Sequence, residues 1–125
     1  MILLLDAHVV LWALDDPNRL DASARDSIVD PSNAVVVSAA TIWELEIKAA
    51  KGLIRVPSDL LSSVEDLPAD VLPITGADAR AAARLPMHHR DPFDRMLVAQ
   101  AQRLDAVVVT HDGSIKAYGV QILGA

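Results

Sequence analysis

The chain has 125 residues, 52% of them hydrophobic, which fits one domain spanning residues 1–125 with a real core and argues against intrinsic disorder. It contains no cysteine, which excludes disulfides, thiolate metal sites and a cysteine nucleophile. At a formal net charge of −6, bulk electrostatics do not advertise nucleic-acid binding, so any such binding must be local, and a divalent cation can reverse the sign of an acidic site.

Met1 leads into only "ILLL" before Asp6, too short an apolar run for a signal peptide. No apolar run approaches the length of a membrane span. The expectation is a soluble, cytoplasmic protein with no membrane partner. Ile2–Leu5 reads as a buried strand that Asp6 ends. A helical pattern follows over Val9–Leu14 and breaks at "DDPN". Asp21 is placed to cap a helix reaching Val29. Ala34–Val37 is the second β-branched run, and Ser38–Lys51 the helix after it, with Gly52 as its stop. Ser58 or Asp59 caps a short helix reaching about Asp66. Asp70–Ile74 is a candidate third strand, Gly76–Leu85 an alanine-rich helix, and "PMHHRDP" a loop. Asp91–Leu104 carries the best helical pattern in the chain, then come a strand at Ala106–Thr110, a short helix at Gly113–Tyr118 and an edge strand at Val120–Leu123. Apolar strands alternating with helices predict an α/β protein whose mainly parallel sheet, of four to five strands, is covered on both faces.

Ligands of open α/β sheets bind outside the carboxyl ends of the strands. Asp6 directly follows "ILLL", Asp112 follows "VVVTH", and Glu44 lies about two turns into the helix after "VVVS". Asp94 begins the helix before the fourth strand. In "RDPFDR", Asp91 before Pro92 is a strong helix start, and an acid at Asp94 favours the helix dipole. Helix starting therefore accounts for both aspartates taken alone. Convergence of three or four carboxylates would repel unless a cation bound them, and hard oxygen ligands suit Mg²⁺ or Mn²⁺. Such a site could orient water and stabilise charge on a phosphate.

The stretches "LLLDAHVVLWAL", "VVVSAATIWELEIKAAKG", "LPMHHRDPFDRMLVAQA" and "VVVTHDGSIKAYGV" resemble, in order, the signatures of PIN-domain proteins, and most of all the VapC-type toxins of bacterial type II toxin–antitoxin systems. The resemblance runs from Met1 to about Val120. It implies a three-layer α/β/α fold and a divalent-metal endoribonuclease that hydrolyses RNA phosphodiester bonds. It implies a site of Asp6, Glu44, Asp94 and Asp112, with Asp6 and Asp94 as primary metal ligands. Mg²⁺ would be the ion, with Mn²⁺ an alternative, and the products would carry a 3′-hydroxyl and a 5′-phosphate. Asp94 matches the family's catalytic aspartate, because "DRMLVAQA" carries the pattern that follows it, which leaves Asp91 as a cap or an outer residue. Thr110 matches a supporting hydroxyl position. The chain departs from many relatives in carrying Ala7, where they have Thr or Ser, so a hydrogen bond to the site is expected to be missing. The implied partners are an RNA substrate and a neutralising antitoxin protein, in a homodimer or a toxin–antitoxin hetero-oligomer.

His8 recurs in the resembling motif, and either orients the site or simply begins the helix. His88 and His89 read as a solvated loop, with phosphate contact as the alternative, and His111 as structural or exposed. Arg90, Arg95, Lys48 and Lys51 are the candidates for the RNA backbone, against the alternative of ordinary surface charge. Arg95 could instead pair with Asp91. Two Trp, one Phe and one Tyr are few for base stacking, so aromatic reading of a single strand is not indicated, and Trp12 and Trp43 read as core or interface residues. The competing functions are a catalytically inactive PIN-like binding module and a small metal-dependent phosphatase. Without a P-loop, a dinucleotide glycine fingerprint or a G-x-S-x-G elbow, nucleotide-cofactor and serine-hydrolase functions have little support.

Overall fold

The computed structural model describes residues 1–125. Five strands, β1 (Ile2–Leu5), β2 (Ala34–Ser38), β3 (Asp70–Leu72), β4 (Val107–Thr110) and β5 (Gln121–Gly124), form one sheet in the order β3-β2-β1-β4-β5. Every neighbouring pair is parallel. The β-branched and leucine runs alternate sides as a pleated strand requires. Leu3, Leu5, Val35, Val37, Val107 and Val109 face one core, whereas Leu4 and Val108 face the other. Both faces are therefore covered, which explains why the strands read as continuous apolar runs.

The first core is closed by α1 (Ala7–Asp15), α2 (Ala22–Val29), α3 (Ala39–Ala50) and α4 (Leu60–Glu65), through Val9, Val10, Ala24, Leu45, Leu60 and Val64. The second is closed by α6 (Pro92–Leu104), through Leu97, Val98 and Ala101, and by Ile115 of a 3-10 turn at Gly113–Tyr118. Helix α5 (Gly76–Arg84) packs against α6. The three-layer α/β/α architecture follows.

Several boundaries differ from the sequence expectation for identifiable reasons. Strand β3 stops at Leu72 rather than Ile74, because Pro73 has no N–H to continue a ladder. Strand β5 is shifted to Gln121–Gly124 by its register against β4, in which Val107 faces Gln121 and Thr110 faces Gly124. Asp21 occupies the cap position of α2 but makes no side-chain cap bond. Gly52 lies at φ +73 just past α3, the left-handed geometry that suits the glycine stop. Asp105 takes the same region at φ 52 and ends α6, so that the chain turns directly into β4.

One ionic cluster, built on the buried Asp78, escaped sequence reading. Thr75 and Asp78 form a reciprocal capping box at the start of α5, with Thr75 Oγ1 accepting from Asp78 N at 3.0 Å and Asp78 accepting from Thr75 N at 3.2 Å. Asp78 also accepts from Arg103 Nε at 2.6 Å and Nη2 at 3.0 Å, and from Gln100 Nε2 at 3.2 Å. Burial pushes its carboxyl up, but Arg103, the Thr75 N–H and Gln100 outweigh that and hold it at about 2. The cluster ties α5 to α6. Asp78→Ala removes an acceptor from Arg103, Gln100 and the start of α5, and urea denaturation is expected to show a loss of about 1–2 kcal/mol. Because the folded carboxyl titrates at about 2 against an ordinary 3.8, wild type loses this contribution only as pH falls through that window.

Candidate active site

The strand order reverses between β1 and β4. From β1 the chain builds outward through β2 and β3, then returns to the other side of β1. Their carboxyl ends therefore open a crevice, where such sheets bind ligands. Leu5 pairs with Val109, so Asp6 and Thr110 emerge side by side. Helix α6 runs into β4 through the two-residue turn Asp105–Ala106, which places its first turn at this same end of the sheet and brings Asp94 there. A cleft of about 540 Å³ results, lined by Asp6, Glu44, Asp91, Asp94 and Asp112 among others. The four acids singled out from sequence thus share one cavity.

Most of these acids also start helices. Asp6 caps α1, with Oδ1 accepting from Val9 N at 2.9 Å. Its Oδ2 accepts from the Thr110 hydroxyl, which in turn accepts from Asp112 N at 3.0 Å. The hydroxyl support thought missing at Ala7 therefore reaches Asp6 from Thr110. Asp112 caps the following 3-10 turn, with Oδ1 accepting from Ser114 N at 3.0 Å. That backbone bond, with the Ser114 hydroxyl, lowers the pKa of this exposed carboxyl. Asp91 caps α6, accepting from Phe93 N at 2.8 Å and Asp94 N at 3.4 Å. Asp91 is thus the cap that its sequence context implies, yet it also lines the cleft.

Glu44 is buried, and its Oε2 meets Lys48 Nζ at 2.8 Å one turn along α3. That bond, reinforced by the nearby Asp91 and Asp94, raises the lysine pKa. Asp94 carries the strain of the arrangement. Desolvation first, then Asp91, and further off Glu44 and Asp6, push its carboxyl up to about 6, against an opposing pull from His89.

His89 is not a solvated loop residue. Its Nδ1 accepts from Asp91 N at 3.1 Å, which leaves the proton on Nε2, 3.3 Å from Asp94 Oδ2. Ligand atoms of His89, Asp94 and Asp112 lie within 4.8 Å of one another. With Nδ1 engaged as an acceptor, His89 serves in this geometry as a donor to Asp94 rather than as a metal ligand. Sequence could not show this, because the contact depends on how the 86–91 loop folds back.

Arg95 is the chief correction among the RNA-backbone candidates. It is buried, and its guanidinium donates to the carbonyls of Ala82 at 2.9 Å, Leu85 at 2.9 Å, Pro86 at 3.1 Å and His89 at 3.2 Å. It satisfies the end of α5 and staples the loop, and it pairs neither with Asp91 nor with solvent. Tyr118 assists, donating to Pro86 O at 2.7 Å and accepting from His89 N at 2.9 Å. Lys48 lines the cleft but is held by Glu44, whereas Arg90 and Lys51 are exposed and outside the lining. Exposed His8 and His111 both line the cleft. Trp43 is 61% exposed and meets Phe93 edge-on at 5.5 Å, so it is no core residue.

The PIN domain family model matches residues 3–121. The chain belongs to the PIN-domain family. It is 30% identical over 118 residues to Ribonuclease VapC22 of Mycobacterium tuberculosis, covering 92% of this chain and 90% of that protein. FitAcB from Neisseria gonorrhoeae superposes with a TM-score of 0.68 at 25% identity, covering 99% of this chain and 97% of that one. DNA-bound VapBC from Salmonella typhimurium gives a TM-score of 0.73 at 20% identity, covering 99% and 98%, and at that identity the likeness is one of fold.

As a PIN-domain site, the cleft offers a hard-oxygen donor set with excess negative charge. Desolvation first, and the neighbouring acids after it, hold the Asp94 carboxyl up, and a divalent cation on these hard oxygens would relieve both. In metal-free protein that burial and crowding of Asp94 oppose folding. The folded carboxyl of Asp94 titrates at about 6 against an ordinary 3.8, so its contribution favours folding below that window and is lost as pH rises through it. At about pH 7.5 in EDTA, Asp94→Asn is expected to stabilise the protein by about 1–2 kcal/mol after solvent screening, a gain that fades near pH 4. Urea midpoints at the two pH values check this. Arg95→Ala is expected to destabilise by about 3 kcal/mol without rescue by Arg95→Lys, since one ammonium cannot reach the carbonyls a planar fork reaches.

Proposed function

We propose that this protein is a toxin-like, divalent-metal-dependent endoribonuclease, acting as a single domain and held in check by a cognate antitoxin. The observation that carries the reading is the convergence of Asp6, Glu44, Asp94 and Asp112 on one cleft at the switch point of a PIN-domain sheet. Its relation to a protein named as a ribonuclease supports RNA as the substrate. Asp6 and Asp94 would hold the ion, with Glu44 and Asp112 completing the site. Mg²⁺ is the preferred ion, and Mn²⁺ fits the same oxygen donors. When bound, the ion would supply charge stabilisation on the phosphate and acidify a water molecule.

The chain's own groups have separable parts. Thr110 orients Asp6 through its hydroxyl, and the α1 amide of Val9 holds the other carboxylate oxygen. His89 keeps Asp94 aimed into the cleft. Lys48 restrains Glu44 and leaves a cation at the cleft wall. The antitoxin assignment is supported by the solved VapBC complexes of this fold. Exposed apolar side chains such as Trp43, Leu53 and Met87 offer surface for an antitoxin or for a second copy of the chain. No helix is long and apolar enough to cross a membrane.

Purified protein is expected to cleave cellular RNA with Mg²⁺ or Mn²⁺ and not with EDTA. Asp94→Asn should lower cleavage at least about a hundred-fold, since even residues that only support metal ligands contribute up to that much. Asp91→Asn should retain cleavage, because asparagine caps a helix about as well as aspartate. Metal-independent cleavage, or equal activity of Asp94→Asn and wild type, would refute the assignment, and no cleavage in any metal would point to a binding module.

A further inference from the structure

The cationic groups nominated for RNA are largely committed elsewhere. Arg95 is buried on carbonyls, Lys48 is bound to Glu44, and Arg90 and Lys51 lie outside the cleft lining. An acidic cleft so served needs a source of RNA affinity other than cations on the backbone phosphates. The fold assembles one from residues far apart in sequence. His8 follows Asp6 by two positions, and His111 follows Thr110. Their rings meet edge-on at 4.7 Å, and both line the cleft. Trp12, one turn along α1 from His8, backs them at 5.1 Å from His111 and 6.0 Å from His8. Arg19 lies over the Trp12 ring, its guanidinium carbon 4.9 Å from the centroid.

We propose that His8, Trp12 and His111, with Arg19, form a shelf that receives an unpaired RNA nucleobase next to the cleaved phosphate; this rests on the ribonuclease reading above. The two exposed imidazoles stand edge-to-face in the cleft lining, and the half-buried indole, outside that lining, packs tilted against both. Stacking on such a surface accepts any base and is not opposed by the negative charge beside it. The placement ties base binding to the acids, because His8 and His111 share backbone with Asp6 and Asp112. Trp43 and Phe93 form a separate aromatic pair that does not line the cleft, so they are not part of the shelf.

The test uses Trp43→Phe protein, in which Trp12 is the sole tryptophan, with Ca²⁺ in place of Mg²⁺. A single-stranded RNA oligonucleotide and a matching abasic ribose-phosphate strand are titrated while Trp12 fluorescence and affinity are read. The base-bearing strand is expected to quench Trp12 and the abasic strand not. Adding His8→Ala and His111→Ala together removes exposed side chains without emptying the core, and circular dichroism verifies the fold. This double change is expected to weaken RNA binding about ten- to hundred-fold, and to leave abasic-strand binding as it was. Equal RNA affinity with and without the two histidines would overturn the shelf. So would equal losses for both strands, or a parent that binds no RNA. RNA binding with the expected base dependence, but without cleavage in Mg²⁺, would overturn the ribonuclease reading and leave the shelf standing.

Discussion

Carboxylate repulsion at the carboxyl end of the sheet is the constraint around which the rest of this molecule is organised. Asp6, Glu44, Asp91, Asp94 and Asp112 line one cleft, with Lys48 and His89 as nearby counterweights. Such a cluster persists because most of its members have a second task. Asp6, Asp91 and Asp112 accept backbone N–H groups at helix starts, each contact worth about 0.5–2 kcal/mol. The capping energy offsets part of the repulsion locally. Asp94 sits inside the first turn of α6 without a comparable set of donors, and desolvation first, then its acidic neighbours, push its carboxyl up.

Holding Asp94 in that position demands a stiff frame. Helix α6 enters the cleft at its start and reaches β4 at its end, so its axis is set by the sheet. The loop before it is fixed by Arg95 and Tyr118, whose donors and acceptor close on the backbone of residues 82–89. A buried guanidinium with no carboxylate partner is an expensive element, and its location beside the cleft ties its purpose to the geometry of His89 and Asp94. On the far side of α6, Asp78 and Arg103 tie α5 down. Contacts outside the cleft therefore hold the frame, while Thr110, Lys48 and His89 inside it orient Asp6, Glu44 and Asp94.

The same frame accounts for how an acidic protein could engage RNA. Positive side chains near the site serve structure first: Arg95 the loop, Lys48 the buried Glu44. The ring cluster of His8, Trp12 and His111 sits where the first and fourth strands end together, so an aromatic surface and the acids occupy neighbouring parts of one cleft.

Sequence by itself determined the alternation of strands and helices, because apolar β-branched runs, prolines and capping residues act locally. It also marked Asp6, Glu44 and Asp112 as acids near strand ends, and Asp91 as a helix start. Strand boundaries beside Pro73 and at β5 came from ladder register, which no local pattern carries. Convergence of Asp94 with the other acids was decided by the tertiary structure, since it depends on α6 running back along the sheet before β4. The reassignments of Arg95 from RNA contact to loop staple, and of His89 from loop to partner of Asp94, have the same origin. Their partners are backbone groups placed by the fold of residues 82–91, and a backbone carbonyl leaves no mark in a sequence. The few aromatic residues discouraged an aromatic surface on composition alone; proximity in space, between positions 8, 12, 19 and 111, is what assembles one.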